Sequence, residues 1–167
     1  MTTYTVKAGK HKFQPWPLVP KYQTRPGKLH FELIFDESCL HPPIDEERDW
    51  NKAIGRAFDP INPHANSALV AWRPNIEATR IEIADYWHTG GETIWRREPV
   101  LIVEPGERVK GYIDHSFKRK KGYIQFEGQK VRQEQFNAMS CVTFLLMPWF
   151  GGTNPAVHDM SLKLNYW

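Results

Sequence analysis

Runs rich in Ala, Leu, Glu and Lys are nearly absent from the 167 residues, so a helical bundle has no material to form from. No twenty-residue apolar span occurs either, and without one there is no transmembrane helix. The opening Met1-Thr2-Thr3-Tyr4 lacks the apolar stretch of a secretory signal. Cysteine is scarce: Cys39 and Cys141 stand far apart and read as two buried, reduced thiols, not as a disulfide framework. Charge of one sign is also scarce. Twenty-two basic against 19 acidic side chains leave a formal +3, well short of a dedicated nucleic-acid domain.

What the chain does have is rings and turns. Aromatics make up 13%, with seven Trp, nine Phe and six Tyr, and large rings suit pleated sheets. Eleven Gly and thirteen Pro say that the chain turns often. One domain of this length buries roughly 70% of its unfolded surface and needs no metal or disulfide to fold.

Residues 1–28 read as an extended arm, because Pro15, Pro17, Pro20 and Pro26 prevent a helix. Phe13, Trp16, Leu18 and Tyr22 within it need a surface to lie against: their own domain, or a neighbouring subunit. Residues 29–167 read as a single domain. Phe31, Leu33 and Phe35 begin a period-two pattern, and residues 36–49 form a loop. Residues 49–58 suit a short helical turn, weakened by Gly55. Residues 67–72 are dense enough for a strand buried on both faces. Alternation returns over 79–87, then in short segments up to 103, over 108–114, 123–126 and 130–132, and in the apolar run 141–147. It is clearest at the end, where Met160, Leu162, Leu164 and Tyr166 oppose Ser161, Lys163 and Asn165. Roughly nine to eleven short strands with regular turns give a mainly β fold, an antiparallel sandwich.

The tail from Trp149-Phe150-Gly151-Gly152 through Asn154-Pro155 to His158-Asp159 resembles the closing segment of concanavalin-A-like jelly-roll proteins of bacterial surface, polysaccharide-active and phage structural types. Asp49-Trp50-Asn51-Lys52 through Gly55, with Asn66-Ser67 and Trp72, is similar to the middle of that group, as is Tyr123-Ile124-Gln125-Phe126-Glu127-Gly128. The likeness covers about residues 28–167. It implies a jelly roll, and a job between virion structure and glycan binding or cleavage.

Catalysis on such a sandwich has stated requirements. A retaining sugar hydrolase needs two carboxyl groups about 5 Å apart, whereas in Glu82-Ile83-Ala84-Asp85 the acids fall on opposite faces of a strand. Jelly-roll lyases resemble one another in an Arg-rich strand, a Gln-x-His strand and a late Tyr strand. Arg80 and Tyr123 are the nearest matches, and no Gln-x-His occurs. No catalytic set is intact.

Histidines 11, 30, 41, 64, 88, 115 and 158 include no ligand-spaced pair, so no metal or other cofactor is expected. Loop-bound calcium on Asp36, Asp45 and Asp49 is the chemical exception. Lys118, Arg119, Lys120 and Lys121 form the one charge block, a hairpin tip suited to an anionic partner but more often merely solvated, so nucleic acid is set aside.

Seven Trp crowd one core, so some are expected near the surface. Trp87 and Trp95 beside Gly90-Gly91, Trp149 before Gly151-Gly152, and Tyr123 are the glycan- or partner-binding candidates. Phe13, Trp16, Leu18 and Tyr22 are the candidates for arm docking. The expectation is a non-catalytic module, a phage virion component in capsid or tail, assembling as a homo-oligomer through its surface and arm and able to bind glycans. It would sit in the virion, or in the cytoplasm before assembly. The alternatives are a stand-alone carbohydrate-binding module and a jelly-roll polysaccharide lyase or hydrolase.

Overall fold

The computed structural model describes residues 1–16, 22–23, 27–42, 49–95, 98–151 and 153–167, except the side chains of Gln23 and Trp95. Thirteen strands account for the regular structure of these residues, with one 3-10 turn at Glu37–Cys39 and no α-helix. They are β1 (Thr2–Val6), β2 (Tyr22–Gln23), β3 (Leu29–Phe35), β4 (Asn51–Ala57), β5 (Asn66–Pro74), β6 (Ile81–Thr89) and β7 (Glu92–Trp95). After them come β8 (Leu101–Val103), β9 (Arg108–Ser116), β10 (Lys121–Phe126), β11 (Arg132–Gln135), β12 (Thr143–Leu146) and β13 (Met160–Tyr166).

Two antiparallel sheets result. One runs β1-β13-β3-β9-β10-β11; the other runs β2-β12-β4-β5-β6-β7, with β8 beside β6 as its seventh strand. Alternation decides which residues face inward. Met160, Leu162 and Leu164 of β13 are buried, and β3 sets Phe35 and Leu33 opposite the last two. Phe31, Leu33, Phe35, Val109, Ile113 and Phe126 meet Ile54, Val70, Trp72, Ile81, Ile83 and Trp87 of the second sheet. The fold is an antiparallel jelly-roll sandwich.

Residues 49–58 form a strand, not a helical turn. Asn51–Ala57 is hydrogen-bonded to β5 on one side and to β12 on the other, and those non-local ladders outweigh a weak local preference. A register shift between Lys52 and Ile54 turns Ile54 into the core while Lys52 stays outside.

The described part of residues 1–28 lies on the chain's own sandwich. β1 extends the first sheet by pairing with β13, and Thr5 and Gln14 exchange backbone hydrogen bonds of 2.8 and 2.7 Å. Phe13 is fully buried in the core, so it has no face left for a neighbour. Tyr22 is 53% exposed beside Phe144, and Leu18 falls outside the described residues. Of the thiols, Cys39 is buried and donates to the Ser161 carbonyl at 3.1 Å. Burial pushes its pKa far up. Cys141 is exposed, contrary to the buried pair expected, because it precedes β12 instead of lying in it. Among the described residues no helix is long and apolar enough to cross a membrane.

Candidate functional site

The outer face of the second sheet carries a groove of about 730 Å³, a size that suits a small-molecule or oligomer segment. Alternation builds its floor. Ala68, Val70 and Trp72 of β5 turn inward, which leaves Ser67, Leu69 and Ala71 outward. On β6 the partners of Leu69 and Ser67 are Tyr86 and His88, and on β7 the partner of His88 is Thr93. Lys52 stands opposite Ala71. Gly55, opposite Leu69, must lack a side chain, since a Cβ there would lie 2.9 Å from Leu69 Cγ.

Indoles form one wall. Trp149 bridges the backbones of Lys12 and Lys52 and stacks on His11 with ring centres 5.5 Å apart and planes at 13°. Trp16 meets it edge-on at 6.1 Å. Pro63 and His64 line the groove elsewhere. Trp50 closes off the neighbouring part of the same face. It is 2% exposed, covers Ala71 and Ala84, and has the Arg73 guanidinium 4.0 Å from its ring centre.

The electrostatics are spare. Lys52 Nζ donates to the Trp50 carbonyl at 2.5 Å, lies 4.7 Å from the Tyr86 ring centre and only 4.0 Å from Asp49. Burial draws its pKa below the usual lysine range, with Asp49 pulling the other way. Burial likewise pushes His88 down to about 4, helped by His64 and Lys52, so its imidazole is neutral at neutral pH. Its Nδ1 is 3.1 Å from the Thr93 hydroxyl. Tyr86 is raised by burial, and Thr93 bonds it as well. The Ser67 hydroxyl is fully buried with no hydrogen-bond partner among the described residues. The groove therefore offers hydroxyls, a neutral imidazole, a phenol, one sequestered ammonium and flat apolar rings.

Several residues picked from sequence lie elsewhere. Trp149 and Trp16 are on the groove wall. Trp87 is not on the surface: it alternates with Ile81 and Ile83, is 2% exposed between the sheets, and donates Nε1–H to Asp85 Oδ2 at 2.7 Å. Trp95 pairs with Tyr86 through its backbone, and its side chain is outside the described set. Tyr123 faces outward from the first sheet, while Gly122, Ile124 and Phe126 point in, so it is remote from the groove. Lys118, Arg119 and Lys120 are exposed at the β9–β10 turn with Lys121 beginning β10; none lines the groove.

Arg80 is exposed, 3.6 Å from Glu104. Glu82 is paired with Arg73 at 2.7 Å and Asp85 points into the core, so β6 presents no carboxylate pair. Asp36 caps the 3-10 turn through the Ser38 N–H, Asp49 accompanies Lys52, and Asp45 is outside the described residues. No three His, Cys, Asp or Glu gather as a metal cluster among the described residues.

Sequence reasoning missed Tyr86 and His88. The signal was present, since alternation from Ile81 and Ile83 puts Trp87 inward and therefore its two neighbours outward. No local signal links His64 to His88 or Trp16 to Trp149.

No protein-family model matches the sequence, and no curated protein matches it significantly. Solved structures do resemble the fold. The alginate lyase from Klebsiella pneumoniae superposes with a TM-score of 0.57 at 12% identity, over 85% of this chain and 59% of the lyase. This chain thus spans about three fifths of that lyase. A toad ovary galectin in complex with thio-digalactose gives 0.45 at 11% identity, over 100% of this chain and 99% of the galectin. The xylan beta-1,4-xylosidase from Bacillus halodurans C-125 gives 0.43 at 13% identity, over 93% of this chain and 28% of that one. The likeness to the lyase at this identity identifies the architecture, a concanavalin-A-like jelly roll.

Proposed function

We propose that the groove of the second sheet binds a saccharide chain, with a preference for acidic sugars. The observation that carries this is one cavity joining an indole wall, Trp149 and Trp16, to a floor of Lys52, Tyr86 and His88. Apolar ring faces suit the C–H faces of sugars, and the floor groups suit their hydroxyls. Lys52 is 13% exposed and, among the described residues, its carboxylate neighbour Asp49 is 4.0 Å away, so an incoming carboxylate would supply a closer counter-charge. A fold shared with an alginate lyase is consistent with this reading.

The test is electrophoresis through gels containing polyuronates or neutral glucans. Retardation by the polyuronate is expected, weakened in Trp149→Ala and in Lys52→Met. Unhindered migration through every gel would sink the proposal.

Cleavage of the bound polymer is a second reading, favoured by the Tyr86 and His88 rings standing 5.3 Å apart beside a neutral imidazole. Shortening of the retained polymer, lost in His88→Asn, is its signature; an unshortened polymer rejects it. The virion-assembly reading rests on the proline-rich segment together with the resemblance to phage structural proteins and the lack of an intact catalytic set. Since Phe13 is packed in this chain's own core and Trp16 against Trp149, glycan binding takes precedence, and attachment to a host glycan is the way the two readings would join.

A further inference from the structure

The groove also brings together two imidazoles from distant parts of the chain. The ring centres of His64 and His88 are 4.9 Å apart, with planes at 75°. His88 is 7% exposed, and its Nδ1 is engaged by the Thr93 hydroxyl at 3.1 Å, while no hydrogen bond to Nε2 occurs among the described residues. Such a bond to the far nitrogen fixes the tautomer and orientation of metal-binding histidines. His64 is exposed on a turn held through its backbone N–H to Asn62 Oδ1 at 3.0 Å, so its ring is open to solvent.

The spacing fits a shared ion. A metal about 2.0–2.1 Å from each nitrogen lies roughly 3.2 Å from each ring centre, and rings 4.9 Å apart then subtend about 100° at the metal, close to tetrahedral. We propose that His64 and His88 bind a divalent first-row transition ion, zinc foremost, at the rim of the groove. Imidazole nitrogens suit zinc, copper and nickel, whereas calcium and magnesium require oxygen ligands. With no third His, Cys, Asp or Glu in the cluster among the described residues, the remaining positions belong to water or to an oxygen of a groove ligand. The Lys52 charge is felt at His88 and opposes the ion, and Asp49 offsets it in part. The affinity is therefore below that of a closed structural site.

The test titrates the intact protein with zinc by calorimetry and with cobalt by visible absorption, with no saccharide present, so its result is independent of glycan binding. The expected result is one saturable ion per chain. It is lost in His64→Ala, weakened roughly ten- to hundredfold in Thr93→Val, and unchanged in His158→Ala, an exposed imidazole outside the groove. His64→Ala removes an exposed ring and leaves the fold intact. Undiminished zinc binding in that variant, or no saturable binding by the parent protein, overturns the proposal.

Discussion

The two sheets share one core but differ on their outer faces. On the first sheet β13 alternates buried Met160, Leu162 and Leu164 with outward Ser161, Lys163 and Asn165, and β10 alternates in the same way. On the second sheet every residue of β5 and all but the last of β6 are buried, so both of its faces are covered. The inner face meets the core, while the outer face carries a second apolar cluster of Trp50, Leu69, Ala71, Ala84 and Tyr86 beside the groove. A sheet that is polar outside is a wall; one whose outer face holds its own apolar floor, with an imidazole, an ammonium and hydroxyls along it, has the surface that the proposed saccharide would need.

The largest expected effect breaks the inner side. Trp87→Ala removes a ring that is 2% exposed between the sheets, together with its hydrogen bond to the Asp85 carboxylate. A destabilisation of about 3–5 kcal/mol is expected in urea unfolding, from cavity formation and the lost hydrogen bond. A cost below about 1 kcal/mol would mean that the indole is not packed as described.

Next comes acid. His115 is 7% exposed between the sheets, and its Nδ1 accepts from Arg56 Nη1 at 3.0 Å, so the ring must be neutral for that bond to exist. Burial and the Arg56 charge push its pKa down to about 4, with Asp114 opposing. The unfolded chain protonates near 6.5 and the folded protein only near 4. The contribution is therefore complete above about pH 6.5 and is lost as the pH falls towards 4, an effect on the order of 3 kcal/mol. Unfolding midpoints measured from pH 7 to 4 should drop accordingly, with a shallower slope in His115→Gln. Equal slopes would assign the acid sensitivity to other groups.

On the outer side, Trp149→Ala should lower affinity for the retained polysaccharide at least tenfold, about 1.4 kcal/mol, and cost less stability than Trp87→Ala, because Trp149 is only partly buried. Comparing the two variants in one gel and one denaturation series separates a binding indole from a packing indole. Weakened retention by both, in proportion to lost stability, would remove that distinction.

Legibility in the sequence followed the same division. β13 could be read outright, because a single strand states its own inward and outward residues. Residues 49–58 could not, because what makes Asn51–Ala57 a strand is its pairing with β5 and β12, distant in sequence. Trp87 sits next to the Gly90-Gly91 turn, which suggests the surface, but the alternation of Ile81 and Ile83 points it inward. Trp149 could be picked out by its place before Gly151, but its partners His11 and Trp16 come from the opposite end of the chain. The groove exists only once those strands pair.

The smallest expected effect sharpens the contrast by sparing it. Lys118 and Arg119 carry most of the exposed charge at the β9–β10 tip, and an acidic polymer attracted by net charge alone would feel them as readily as Lys52. They do not line the groove, whereas Lys52 lies under the indole wall at 13% exposure, where screening by salt is weak. The paired variant Lys118→Ala with Arg119→Ala should therefore leave stability within about 0.5 kcal/mol and leave retardation by a polyuronate unchanged at physiological salt, while Lys52→Met reduces it under the same conditions. If the tip variant lost retention and the Lys52 variant kept it, the polymer would be held by the solvated hairpin of the first sheet, and the groove would have to be assigned some other ligand.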